Sequence, residues 1–123
     1  MYSVTVRESV MIAHSLADPA FGPAQNLHGA TYVVDVEFVA NDLNDKNVVI
    51  DIGIARNIAR ASLEPIAYRN LDELAEFEGK LTTAEFVARY VHDAVAAMAK
   101  PHFDGRICVR LKETHDAWVS YEG

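Results

Sequence analysis

The N-terminal run YSVTVRESVMIAH constrains the fold more than any other part of the chain. From Tyr2 to about His14, the residues Tyr2, Val4, Val6, Val10, Ile12 and His14 share one face at period two. Thr5, Arg7 and Ser9 fall on the other. That alternation is the mark of a half-buried strand, because successive side chains of a strand point to opposite faces. A strand of this kind needs partner strands along its edge and a layer over its apolar face. Glu8 interrupts the apolar side with a carboxylate, and the sequence alone gives no reason for it.

The rest of the chain supplies both. "LADPAFGPAQN" gathers Asp18, Pro19, Gly22 and Pro23 and reads as a loop. A second strand is expected from about Ala30 to Asn41, with Tyr32, Val34, Val36 and Phe38 inward and Asp35 and Glu37 outward. "NDLNDKN" reads as a turn leading into "VVIDIG", where Asp51 is placed to cap a helix carrying Ile54, Ile58 and Ala61. Pro65 ends that helix, and "AYRNLDELAEFEGK" reads as a loop or short helical turn. In the next segment Thr82 and Glu85 fit a capping box, followed by the apolar stripe Phe86, Val87, Tyr90, Val91, Ala94, Val95 and Met98. Pro101 and "HFDG" stop this helix. A third strand from Arg106 to Glu113 turns Ile107, Val109 and Leu111 inward, and a fourth spans about Asp116 to Tyr121.

The order is β-β-α-α-β-β, an α+β arrangement with a four-stranded antiparallel sheet and two helices on one face. Residues 1–123 read as a single domain. Open sheet edges suggest pairing between subunits, since an exposed edge is a liability that assembly removes. Half of the residues are hydrophobic and 24% are charged, a globular composition. A formal charge of −7 argues against a nucleic-acid partner, which calls for a basic face. No apolar run approaches the roughly 20 residues that span a bilayer, and the alternating N-terminus does not read as a signal peptide. No membrane partner and a cytoplasmic location are expected. The single Cys108 excludes an internal disulfide and reads as a packed or surface residue. His92 and His102 have no partner at ligand spacing and read as solvated surface.

The chemistry-bearing residues lie at strand ends. His14 reads as a satisfied core histidine or as a ligand, and His28 shares the parity of Tyr32 and Val34. The two imidazoles meet if their strands form a hairpin. They would begin a zinc site, but catalytic zinc takes three protein ligands and an open position. The third would have to come from Glu113, His115 or Asp116, and nothing in the spacing requires it. Glu113, followed by Thr114, sits at the rim of an apolar strand face. It reads as a solvated strand end or as an anchor accepting two adjacent ligand N–H groups.

The motifs "MIAHSL", "LHGATY", "VVIDIGIAR", "LTTAEFVARYV" and "RLKETHDAW", in this order, resemble the 6-pyruvoyl tetrahydropterin synthase family. That family includes the 6-carboxy-tetrahydropterin synthases. The likeness runs nearly end to end and implies the tunnelling fold, in which subunits join their sheets into an oligomeric β-barrel with active sites at the interfaces. A trimer-based homo-oligomer, most simply a hexamer, and a small-molecule ligand are therefore expected.

Carried over residue by residue, the resemblance divides. His14 and His28 match two of the family's three zinc histidines, and the third position is Ala30. The catalytic cysteine position is Ala24, and the Asp-His pair aligns with Ala67 and Tyr68. The pterin-anchoring glutamate matches Glu113. The resemblance thus implies a retained ligand anchor without the family's acid–base set. Two readings follow. One is a lyase or cyclase acting on a heteroaromatic or carbonyl compound, with His28, Tyr68 and His14 as catalytic groups. Glu113, Thr114, His115 and Asp116 would then form the ligand rim. The other is a non-catalytic protein that binds a pterin-like ligand. No cofactor is expected, and zinc would need a third ligand supplied from elsewhere.

Overall fold

A computed structural model, describing residues 1–123, pairs four strands in the order β1-β2-β3-β4, all antiparallel. They are β1 (Tyr2–His14), β2 (His28–Ala40), β3 (Arg106–Thr114) and β4 (Ala117–Glu122). Helices α1 (Ile52–Leu63) and α2 (Ala84–Ala99) lie between β2 and β3 in the chain. The inward residues Val6, Val10, Ile12, Tyr32, Val34, Val36, Phe38, Val109 and Leu111 pack with Ile58, Leu63, Val87, Val91 and Val95 in one core. The α+β arrangement expected from the strand and helix periods is therefore the one observed.

The face away from the helices carries the polar half of each alternation. Arg7 donates to both carboxylate oxygens of Asp35, at 2.6 and 2.9 Å. Its guanidinium holds the Asp35 carboxyl below the usual carboxylate range. Arg110 donates to Glu37 across the next strand pair at 3.1 Å. Glu8, which breaks the apolar face of β1, accepts from Arg60 of α1 at 3.0 Å. That ion pair gives the carboxylate a partner at the edge of the apolar face.

Four local expectations change. The second strand begins at His28 rather than Ala30, because His14 and His28 are themselves paired across the hairpin. "LADPAFGPAQN" forms a 3-10 turn at Pro19–Gln25, with the Asp18 carboxylate accepting from the Ala20 amide. The N-cap of α2 is Thr83, whose hydroxyl accepts from the Phe86 amide, and not Thr82. Thr82 is buried and occupied by His14. Finally, His92 is not solvated surface. It is 6% exposed, bonds Asp93 and the Gly123 carbonyl, and stands edge-on to Tyr121.

The turn into β3 depends on Gly105, where a Cβ would run into the Val39 carbonyl and the Phe103 ring. At the other edge of the sheet, residues after Pro65 run along β1. The Tyr68 amide donates to the Met11 carbonyl, and the Ala13 amide donates to the Arg69 carbonyl. The Met11–Ala13 end of the β1 edge is thereby covered, while the rest of that edge and the outer edge of β4 pair with no strand of this chain. No helix is long and apolar enough to cross a membrane.

Candidate functional site

His14 and His28 face each other as register partners at the open end of the β1–β2 hairpin. Their ring centroids are 4.6 Å apart, at an interplanar angle of 62°. His14 is buried, and His28 is partly exposed. Each Nδ1 lies against a backbone carbonyl, Thr82 for His14 at 2.9 Å and Asn26 for His28 at 2.8 Å. A carbonyl can only accept, so in the neutral ring Nδ1 carries the proton and Nε2 presents a lone pair. Burial holds the His14 pKa below the usual histidine value, and the neighbouring His28 adds to this. The Thr82 carbonyl and the charges of Asp72 and Glu113 pull the other way. The pair is thus a double acceptor with one member kept neutral.

Tyr32 extends the same face. It is fully buried, its ring centroid lies 6.5 Å from that of His14, and its hydroxyl bonds no protein group. Burial, then the charges of Glu113 and Glu85, raise its pKa well above the ordinary phenol value. Glu113 itself is exposed at the end of β3. Its charge acts on both His14 and Tyr32, so the rim carboxylate belongs to the same end of the sheet.

The other rim residues do less here. Thr114 donates to Asp116 at 2.8 Å and so closes the β3–β4 turn on itself. The His115 side chain is 93% exposed, 4.0 Å from Asp116. Tyr68 is 83% exposed and takes the left-handed φ of 58°. It lines an open groove of about 400 Å³ beside Met11, Thr31, Leu63 and Ala67, a lining that includes neither histidine. Within one chain, then, His14, His28, Tyr32 and Glu113 gather, and Tyr68 stands apart at the β1 edge.

The family's metal can be tested against these donors. Catalytic zinc takes three protein ligands. The position two residues after His28 on the same strand face carries only the Ala30 methyl. No three His, Cys, Asp or Glu side chains of the chain are grouped so as to hold an ion. The donor set of one chain does not fit catalytic zinc, and no chemical step is assigned to it.

Three residues escaped the reading by sequence. Tyr32 was legible only as core, since its strand parity says nothing about whether its hydroxyl finds a partner. Thr82 looked like a helix cap. Asp72 lay in an unpatterned loop, yet its carboxylate accepts from the amide and hydroxyl of Ser15, next to His14.

Relatives of known structure share the architecture. A 6-pyruvoyl tetrahydropterin synthase from Caenorhabditis elegans superposes with a TM-score of 0.85 at 22% identity, covering 99% of this chain and 95% of that one. A Plasmodium vivax 6-pyruvoyltetrahydropterin synthase, described as an E37C catalytic residue mutant, gives 0.82 at 15% identity over 99% and 97%. In sequence, the 6-carboxy-5,6,7,8-tetrahydropterin synthase of Bacillus subtilis (strain 168) is 21% identical over 125 residues, 98% of this chain and 86% of that protein. The 6-pyruvoyl tetrahydropterin synthase family model matches residues 3–123. With the tunnelling-fold topology and the paired histidines in place, the chain belongs to the 6-pyruvoyl tetrahydropterin synthase family, as a divergent member.

Proposed function

We propose that the protein is a pterin-synthase-like lyase or cyclase that acts on a heteroaromatic or carbonyl substrate without catalytic zinc. The observation that carries this reading is the His14–His28 contact, two imidazoles with both Nε2 lone pairs turned away from their backbone carbonyls. A neutral imidazole at that position accepts a proton near neutral pH and returns it, which is the essential act of an elimination or ring closure. Glu113 accepts two adjacent ring N–H groups of the substrate and so places it over the pair. Tyr68 donates a proton from a neighbouring subunit. Its exposure at the β1 edge supports that assignment.

Assembly is part of the same proposal. The uncovered stretches of the sheet edges are suited to pairing with other copies, and a trimer-based homo-oligomer, most simply a hexamer, would close them. Light scattering of the purified protein reads this directly.

The functional test combines product detection by NMR across a panel of pterins with three variants. Turnover should fall at least tenfold in His14→Gln and in His28→Ala. Glu113→Ala should weaken ligand binding about ten- to a hundredfold while the oligomer persists, the loss of a charge-assisted hydrogen-bond pair being worth about 1.5–3 kcal/mol. Turnover that survives both histidine changes removes the pair from the chemistry. Loss of assembly in Glu113→Ala would make that residue structural.

A second reading, a binding protein without turnover, is favoured by one feature. Ala24 and Ala67 put methyl groups at positions where acid–base chemistry would need a thiol and a carboxylate. Tight binding of a pterin with no product after prolonged incubation would select it.

A further inference from the structure

Two buried side-chain polar atoms of this chain have no hydrogen-bond partner among its groups, and they belong to neighbouring residues. They are Nε2 of His14 and the hydroxyl oxygen of Tyr32, on residues 1% and 0% exposed. The rings stand edge to face, with centroids 6.5 Å apart. Leaving either atom unpaired costs free energy, and the great majority of such atoms in folded proteins find a partner. A single group that satisfies both would have a definite chemistry.

The chemistry of that group follows from the pair. His14 Nδ1 is committed as a donor to the Thr82 carbonyl, so Nε2 needs a hydrogen from the occupant. Tyr32, kept protonated, has a hydrogen to give and needs an acceptor. A carbonyl oxygen accepts but cannot donate, and an ammonium group donates but cannot accept. A metal cation would leave the phenolic hydrogen unpaired. A hydroxyl oxygen does both. His28, the partly exposed member of the pair, stands 4.6 Å from His14.

We propose that His14 Nε2 and the Tyr32 hydroxyl form a recognition point for a single hydroxyl group, which donates to the imidazole and accepts from the phenol. Water fills the point in the resting protein, and an alcohol hydroxyl of the bound ligand replaces it. The second half rests on the ligand-binding reading above; the first does not. Tyr32 acts here as a positioning residue. It orients the oxygen whose hydrogen faces His14.

Tyr32→Phe removes one oxygen and preserves the ring that fills the core. With the point intact, this variant should melt about 5 °C below the wild type, because the stranded water loses its donor. Its His14 Nε2 resonance in 15N NMR should also move toward that of a free lone pair. A variant as stable as the wild type or more so, with an unchanged His14 resonance, overturns the proposal.

The two sources of the hydroxyl are separated with 6-hydroxymethylpterin and 6-methylpterin as probes, which differ by one oxygen. The wild type should bind the hydroxymethyl compound about tenfold tighter, and Tyr32→Phe, which keeps the His14 acceptor but loses the phenol donor, should narrow that preference several-fold. Equal binding by the wild type overturns the ligand half. If neither probe binds while the stability and NMR effects persist, the water half is supported and the pterin-ligand reading is the one that fails.

Discussion

The imidazole of His14 donates to the Thr82 carbonyl at 2.9 Å, tying the end of β1 to the residue just ahead of α2. The Thr82 hydroxyl is also drawn in, 3.1 Å from the same nitrogen. A residue that looked like a helix cap thereby becomes a support for the candidate site, and capping passes to Thr83.

That division of labour is measurable. Thr83→Ala should cost about 1 kcal/mol, the usual loss on truncating an N-cap. Thr82→Val keeps the carbonyl that holds His14 and should cost less in chemical denaturation. The reverse order would restore Thr82 as the cap.

The pH dependence of stability follows from the lowered His14 pKa. Below the ordinary histidine value of about 6.5 the unfolded chain takes up a proton that folded His14 resists. Stability attributable to this group is therefore full above that pH and falls as the pH drops toward the folded pKa. The groups facing His14 are His28, Asp72 and Glu113. The two carboxylates ordinarily titrate near pH 4, below this window. His14→Gln should flatten the stability profile between pH 7 and 5 in urea titrations. An unchanged profile would assign the dependence to other histidines.

Zinc can be addressed by restoring what Ala30 lacks. The protein as it stands should retain no stoichiometric zinc after dialysis, by elemental measurement. Ala30→His would put a third imidazole two residues from His28 on the same strand face. It should raise zinc affinity by well over tenfold, since three ligands complete the protein share of a catalytic site. Stoichiometric zinc in the unaltered protein would show that a ligand arrives from another copy.

Tyr68 combines an exposed ring with a left-handed backbone that L-residues avoid. Tyr68→Gly should stabilise the monomer fold by up to about 1 kcal/mol, the relief of that strain being partly offset by the entropy of glycine. Tyr68→Phe should leave the melting temperature unchanged and lower turnover. A Phe variant as active as the wild type would leave the residue no role in proton transfer.

The sequence by itself determined the sheet and the helices, and it put His14 and His28 on inward faces that meet only if β1 and β2 form a hairpin. Period-two alternation allows one inward set for each strand, and a slip by one residue would expose it. Pairing β1 with β2 in that register puts the two histidines opposite each other. The positions where the resemblance implies replaced groups, Ala24, Ala30, Ala67 and Tyr68, came from motif order, which needs no geometry. Only the tertiary structure decided what each polar atom touches. It gave Thr82 to His14, Arg60 to Glu8 and Gly123 to His92, and left Tyr32 with an unpaired hydroxyl. Periodicity reports which face a side chain takes, whereas a hydrogen bond depends on distances of a few ångströms between segments far apart in the chain.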